Sequence, residues 1–117
     1  MNKIIDKKNA AHYLWGNNCD SWILAETTLL SVKQETMQPG TKEQLHFHTN
    51  TQQFFFILKG TATFYIDDTE VTLFEQQALL INKKSKHLIA NQTTTPLEFL
   101  VISQPPVNND RVNVRGN

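Results

Sequence analysis

From Trp22 onward the apolar residues fall in short runs rich in β-branched and aromatic side chains, separated by polar clusters. No window keeps a helical period for three turns, so the pattern is all-β. The runs predict strands over residues 22–25, 28–35, 44–48, 52–59, 61–66, 70–73, 78–81, 87–91 and 97–104. Spacing this close and regular predicts antiparallel neighbours in a sandwich or barrel. Turn chemistry falls between the runs: Pro39-Gly40 breaks the chain, Lys59-Gly60 permits a tight reversal, Asp67-Asp68 suits a hairpin tip, and residues 82–85 form a polar loop. The first twenty residues read as irregular, and residues 105–117 as a polar, Asn-rich, loosely held tail.

Every position of Phe54, Phe55, Phe56, Ile57 and Leu58 is apolar, and alternate side chains of a strand point to opposite faces, so both faces need cover. One face would line a barrel interior. The other, carrying Phe54, Phe56 and Leu58, predicts a symmetric homodimer, because a contiguous exposed apolar patch is uncommon on monomers. Upstream, Gln34 and Glu35 must point to opposite faces; Glu35 reads as an outward surface carboxylate, which turns Gln34 inward.

A chain of 117 residues is one domain's worth, with the barrel expected over about 22–104. The apolar fraction of 39% is lean, and seven Phe compensate in bulk. Eleven basic residues balance eleven acidic ones, so no long-range field attracts nucleic acid or an anionic membrane surface. The start lacks the apolar stretch of a secretory signal and no apolar run is long enough to span a bilayer, which predicts a cytoplasmic protein. The lone Cys19 has no internal disulfide partner and fits a reducing compartment.

The chemistry begins at His46 and His48, two apart in a strand and therefore on one face, at the separation a shared metal requires. Gly40, five residues, His46-Phe47-His48, four residues, Gln53, six residues and Gly60 follow in order. Further on, His87 stands four positions before Asn91. Together these resemble the two motifs of the cupin superfamily over roughly residues 30–103. Three punctuating positions of the second motif, usually Gly, Pro and Gly, are here Gln76, Asn82 and Lys84. The usual Glu ligand of the first motif is Gln53.

The resemblance implies a double-stranded β-helix, the jelly-roll cupin barrel, with one divalent transition metal held by His46, His48, Gln53 and His87. Imidazole-rich sets suit nickel, zinc, iron, copper or manganese better than magnesium or calcium. An amide oxygen brings no charge, so the ion stays a strong Lewis acid toward a carbonyl, hydroxyl or carboxylate. Cupins with this set resemble the small proteins that linearise unsaturated uronic acids released from pectin. That subgroup also uses an acid on the last strand, and the second half of residues 97–103 has none, so only the broad class of reaction transfers. The expected function is an enzyme that isomerises or ring-opens a small polar carbonyl or sugar-acid substrate. The alternatives are a small-molecule binding or sensing module and an iron-dependent dioxygenase. An inward carboxylate or Tyr near the metal would favour catalysis. Residues 15–20 could close a barrel mouth, and Lys83, Lys84 and Lys86 read as a solvated loop.

Overall fold

The computed structural model describes residues 3–115 and, among these, contains strands and no helix. In chain order they are β1 (Ala11–Trp15), β2 (Cys19–Glu26), β3 (Ser31–Met37), β4 (His46–His48), β5 (Gln52–Lys59), β6 (Ala62–Ile66), β7 (Thr69–Leu73), β8 (Ala78–Ile81), β9 (His87–Ala90), β10 (Leu97–Gln104) and β11 (Arg111–Asn113). They form a six-stranded sheet, β1-β2-β3-β10-β5-β8, and a five-stranded sheet, β11-β4-β9-β6-β7. Every pairing is antiparallel, as a jelly-roll barrel requires.

The alternation of β10 shows how the barrel fills. Leu97, Phe99, Val101 and Ser103 are buried, and the residues between them are half-buried. On β5 the inward set is Gln53, Phe55 and Ile57, the partner across the ladder being Ser103 for Gln53 and Val101 for Phe55. Phe55 packs edge-on against Phe64 of the opposite sheet, ring centroids 5.1 Å apart, and against Phe99 at 5.7 Å. Phe64 and Phe99 are completely buried. Full burial of a side chain of that size contributes about 2–3 kcal/mol. The interior is thus apolar toward Ile57 and Leu97 and polar toward Gln53 and Ser103. The outer face keeps Phe54 and Leu80, cross-strand partners, 36% and 51% exposed.

Two elements lie where the sequence reads as irregular. β1 is an exposed edge strand, so it lacks the apolar alternation that marks a half-buried one. Its hairpin with β2 turns through Gly16 and Asn18, both at positive φ. β11, in the expected loose tail, is held by pairing with β4. Lys59-Gly60 does not reverse the chain within one sheet; it carries the chain from β5 to β6 in the other. Asp67-Asp68 does form a hairpin tip, with both residues at positive φ and Ile66 paired to Thr69.

Gln76 and Lys84, at two positions where the resembling motif has glycine, keep positive φ values of 68° and 72°. The backbone of the motif persists without its glycines, at a cost of about 1 kcal/mol each. Lys84→Gly and Gln76→Gly should therefore each raise unfolding free energy by about 0.5–1 kcal/mol in urea melts. Gly60→Ala should lose about 2 kcal/mol or more, since its φ is positive and a Cβ would meet the Pro96 carbonyl oxygen at 2.8 Å.

Candidate metal centre

β4 presents His46 and His48 on one face of the five-stranded sheet, and β9 meets it through the single register pair His46↔His87. All three imidazoles are buried. One ligating nitrogen from each lies within 4.8 Å of the others. The centroid separations are 4.3 Å for His46 and His87, 5.1 Å for His46 and His48, and 5.9 Å for His48 and His87.

Each ring is tied through Nδ1 to an oxygen. The acceptors are the Gln44 carbonyl for His46 at 2.7 Å, the Ser85 carbonyl for His87 at 2.9 Å, and the Asp110 carboxylate for His48 at 3.3 Å. Such oxygens only accept, so Nδ1 carries the proton in every ring and Nε2 keeps its lone pair. Burial pushes the His46 pKa down to about 3, against a partial upward pull from the Gln44 carbonyl. Burial also depresses His48 and His87. Neutral rings with free Nε2 atoms are the form a metal binds.

Gln53 approaches from the opposite sheet. Its Nε2 donates to Ser103 Oγ at 3.1 Å, which turns Oε1 toward Nε2 of His87, 3.3 Å away. Two lone pairs then face each other, an arrangement a cation relieves. Three imidazoles and an amide oxygen are a donor set for a transition ion, and the histidine cluster can hold one. Asn91, the other matching residue of the second motif, lies elsewhere: its amide donates to the carbonyls of Met37 and Thr95 and ties the end of β9 to β3.

A cavity of about 230 Å³ opens beside His46, His48 and Gln53. Glu35, Glu43, Lys33, Arg111, Tyr13 and Trp15 line it. Glu35 therefore faces inward, not to solvent. Its cross-strand partner is Phe99, a core residue, and the register forces both onto one face. Gln34 pairs with Leu100 and points the other way, its amide 3.4 Å from Glu98. Counting back by twos from Met37, a core residue, would have placed Glu35 and Lys33 inside. Glu43 escapes such counting because its segment lies outside any strand; β9 anchors it, with the Ile89 N–H donating to its Oε1 at 3.2 Å. Trp15 serves as a wall of the cavity within the β1–β2 hairpin, its indole N–H donating to the Asp20 carbonyl. Lys84 and Lys86 line a separate surface groove with Asp67 and Asp68.

Burial raises the pKa of both cavity carboxyls. For Glu43 burial pushes it up to about 7, against the Arg111 guanidinium 4.0 Å away and with help from Glu35. For Glu35 burial likewise outweighs the Ser21 hydroxyl and Lys33. Asp110 goes the other way: burial would raise it, but the backbone N–H of Asn50 and its other hydrogen-bond partners hold it below the usual carboxylate range.

The family model for the cupin domain matches residues 33–103, and the chain belongs to that family. It is 26% identical over 80 residues to an uncharacterised protein of Methanocaldococcus jannaschii, covering 68% of this chain and 64% of that one, so it spans just under two thirds of this relative. Among solved structures, the polyketide cyclase RemF of Streptomyces resistomycificus superposes with a TM-score of 0.84 at 14% identity, over 100% of this chain and 88% of that one. A sugar phosphate isomerase of the cupin superfamily from Silicibacter pomeroyi gives 0.76 at 19% identity, over 86% and 74%. At such identities the likeness is one of fold.

In the protein stripped of metal, the fold prefers the Glu43 carboxyl protonated. Its contribution to stability is complete below the unfolded pKa of 4.5 and is lost as pH rises through about 7. Glu43→Gln keeps the neutral form at every pH. Chelator-treated Glu43→Gln should therefore match wild type near about pH 4 and exceed it by on the order of 2 kcal/mol near about pH 8, read from urea melts.

Proposed function

We propose that this cupin is an enzyme holding one divalent transition metal (nickel, zinc, iron or manganese) through His46, His48, Gln53 and His87. Its substrate is a small polar carbonyl or sugar-acid molecule, which it isomerises or ring-opens. The observation that carries this reading is the placement of two inward carboxyls, Glu35 and Glu43, in the same small cavity as His46, His48 and Gln53. A binding or sensing module has no need of buried proton-transfer groups beside a Lewis-acid site.

When bound, a dication among neutral ligands supplies uncompensated positive charge that polarises a carbonyl or hydroxyl. The remaining steps fall to the protein. Glu43, held up to about 7, can give or take a proton near neutral pH at the oxygen not occupied by the Ile89 N–H. Arg111 and Lys33, on opposite walls, attract an acidic group of the substrate and orient it. Phe55 and Val101 close the floor and exclude water from the reacting end. A cavity of about 230 Å³ suits a molecule smaller than a typical drug-sized ligand. The naming of one structural relative as a sugar phosphate isomerase supports the same class of reaction.

His46→Ala should abolish stoichiometric metal, measured by elemental analysis, while the far-ultraviolet spectrum keeps its β character. Metal retained at one ion per chain would overturn the ligand assignment. Gln53→Glu should tighten binding of Zn²⁺ by about tenfold in chelator competition, because a carboxylate adds the missing charge. Weaker binding would remove Gln53 from the ligand set.

A further inference from the structure

Two of the three buried imidazoles sit on β4, a strand of only three residues. On one side β4 meets β9 through a single register pair. On the other it is matched along its whole length by β11: Arg111↔His48, Val112↔Phe47 and Asn113↔His46. The pairing continues beyond both ends, with the Thr49 N–H donating to the Asp110 carbonyl at 3.1 Å and the Val114 N–H to the Leu45 carbonyl at 2.9 Å. The β9 side adds the Lys84 N–H on the His48 carbonyl at 2.6 Å and the Glu43 N–H on the Ile89 carbonyl at 3.0 Å, but the continuous ladder along β4 is the one with the C-terminal segment.

Asp110 concentrates this dependence. One carboxylate oxygen accepts from the backbone N–H groups of Asn50 and Thr51, each at 3.0 Å, and so fixes the turn that follows β4. The other faces Nδ1 of His48. His46 and His87 take their acceptors from carbonyls two residues earlier in the chain, whereas the acceptor for His48 is 62 residues away. From β10 the chain passes to β11 in the other sheet, and Val107 on the way lines both the metal-side cavity and a second, polar one.

We infer that residues 105–114 form a strap whose docking on β4 sets the affinity of the histidine cluster for metal, with Asp110 as the positioning residue for His48. The inference rests on the metal reading proposed above. Docking and metal binding favour each other by the same factor, as linkage requires. A metal drawn to the three Nε2 atoms holds β4 in the place where β11 pairs with it. An undocked tail leaves β4 with the His46↔His87 pair and the Lys84 N–H on the His48 carbonyl, and takes from the His48 ring its Nδ1 acceptor.

The test uses the full chain and Co²⁺, whose visible absorption reports coordination. Wild type, Asp110→Ala and Val112→Pro are titrated with Co²⁺, and hydrogen exchange of peptides from residues 105–115 is followed with and without it. Val112→Pro takes a backbone donor out of an edge strand and leaves Asp110 untouched, so it serves where Asp110→Ala fails to fold. The expected result is folded variants that bind Co²⁺ roughly 10- to 100-fold more weakly with an altered spectrum. In wild type, Co²⁺ should slow exchange across the tail. Variants that melt earlier yet bind Co²⁺ with wild-type affinity and spectrum, with tail exchange indifferent to Co²⁺, would refute the strap and leave the metal site standing. Absence of Co²⁺ uptake by wild type would instead remove the metal reading, and the strap with it.

Discussion

A buried imidazole is tolerated in the interior of a β-barrel as a neutral ring whose single N–H has found an acceptor, and three of them lie within a few ångströms here. Much of the surrounding architecture follows from this demand. The acceptors for His46 and His87 are backbone carbonyls of their own chain segments, so the residues leading into β4 and β9 must run in particular conformations. The acceptor for His48 has to be brought from the far end of the chain, and it comes as a carboxylate that is itself anchored by two backbone N–H groups. Satisfying the N–H groups on one side of the rings leaves three lone pairs on the other. That leaves a concentration of acceptors, joined by Gln53 Oε1, with no donor of its own.

The same demand explains the polarity gradient of the barrel. Where Phe55, Phe64 and Phe99 interlock, no space is left for water and the sheets are held at packing distance. One turn of the ladder further along, Gln53 and Ser103 replace apolar partners, and the cavity opens. The cavity there has an apolar floor of Phe55 and Val101 and polar walls. Electrostatic terms are stronger in such a setting than in water.

The sequence carried the barrel and the histidine set because both rest on short-range regularities. Period-two alternation marks strands such as Gln52–Lys59 and Leu97–Gln104, and a His-x-His places two rings on one face whatever surrounds it. Two of the four edge strands, β1 and β11, were not legible, since a strand exposed on both faces shows no alternation, and β11 also owes its conformation to a partner far away in the chain. Asp110 and Arg111 belong to that class: only the pairing of β11 with β4 brings them to the site. Glu35 is a different case. Its inward direction was present in the alternation from Met37, but a charged residue carries a prior for the surface, and that prior pointed the wrong way. Glu43 had no local signal, since backbone bonds to β9 outside any strand set its direction.

Gln53 and the two cavity carboxyls are parts of one electrostatic arrangement. With an acid in the ligand position, a bound dication would be partly neutralised where it sits. With an amide there, the charge is left to act across the cavity, toward Glu35, Glu43 and whatever lies between. The cavity walls hold two carboxyls and two cations, Lys33 and Arg111. Burial favours the protonated carboxyls, and a dication favours the ionised ones, so the proton on Glu43 is held in a balance that either a metal or an anionic ligand can tip. On the proposed reading, the amide at position 53 leaves the negative charge to Glu35 and Glu43, where a Lewis-acid isomerase or ring-opening enzyme would need a carboxyl that exchanges a proton.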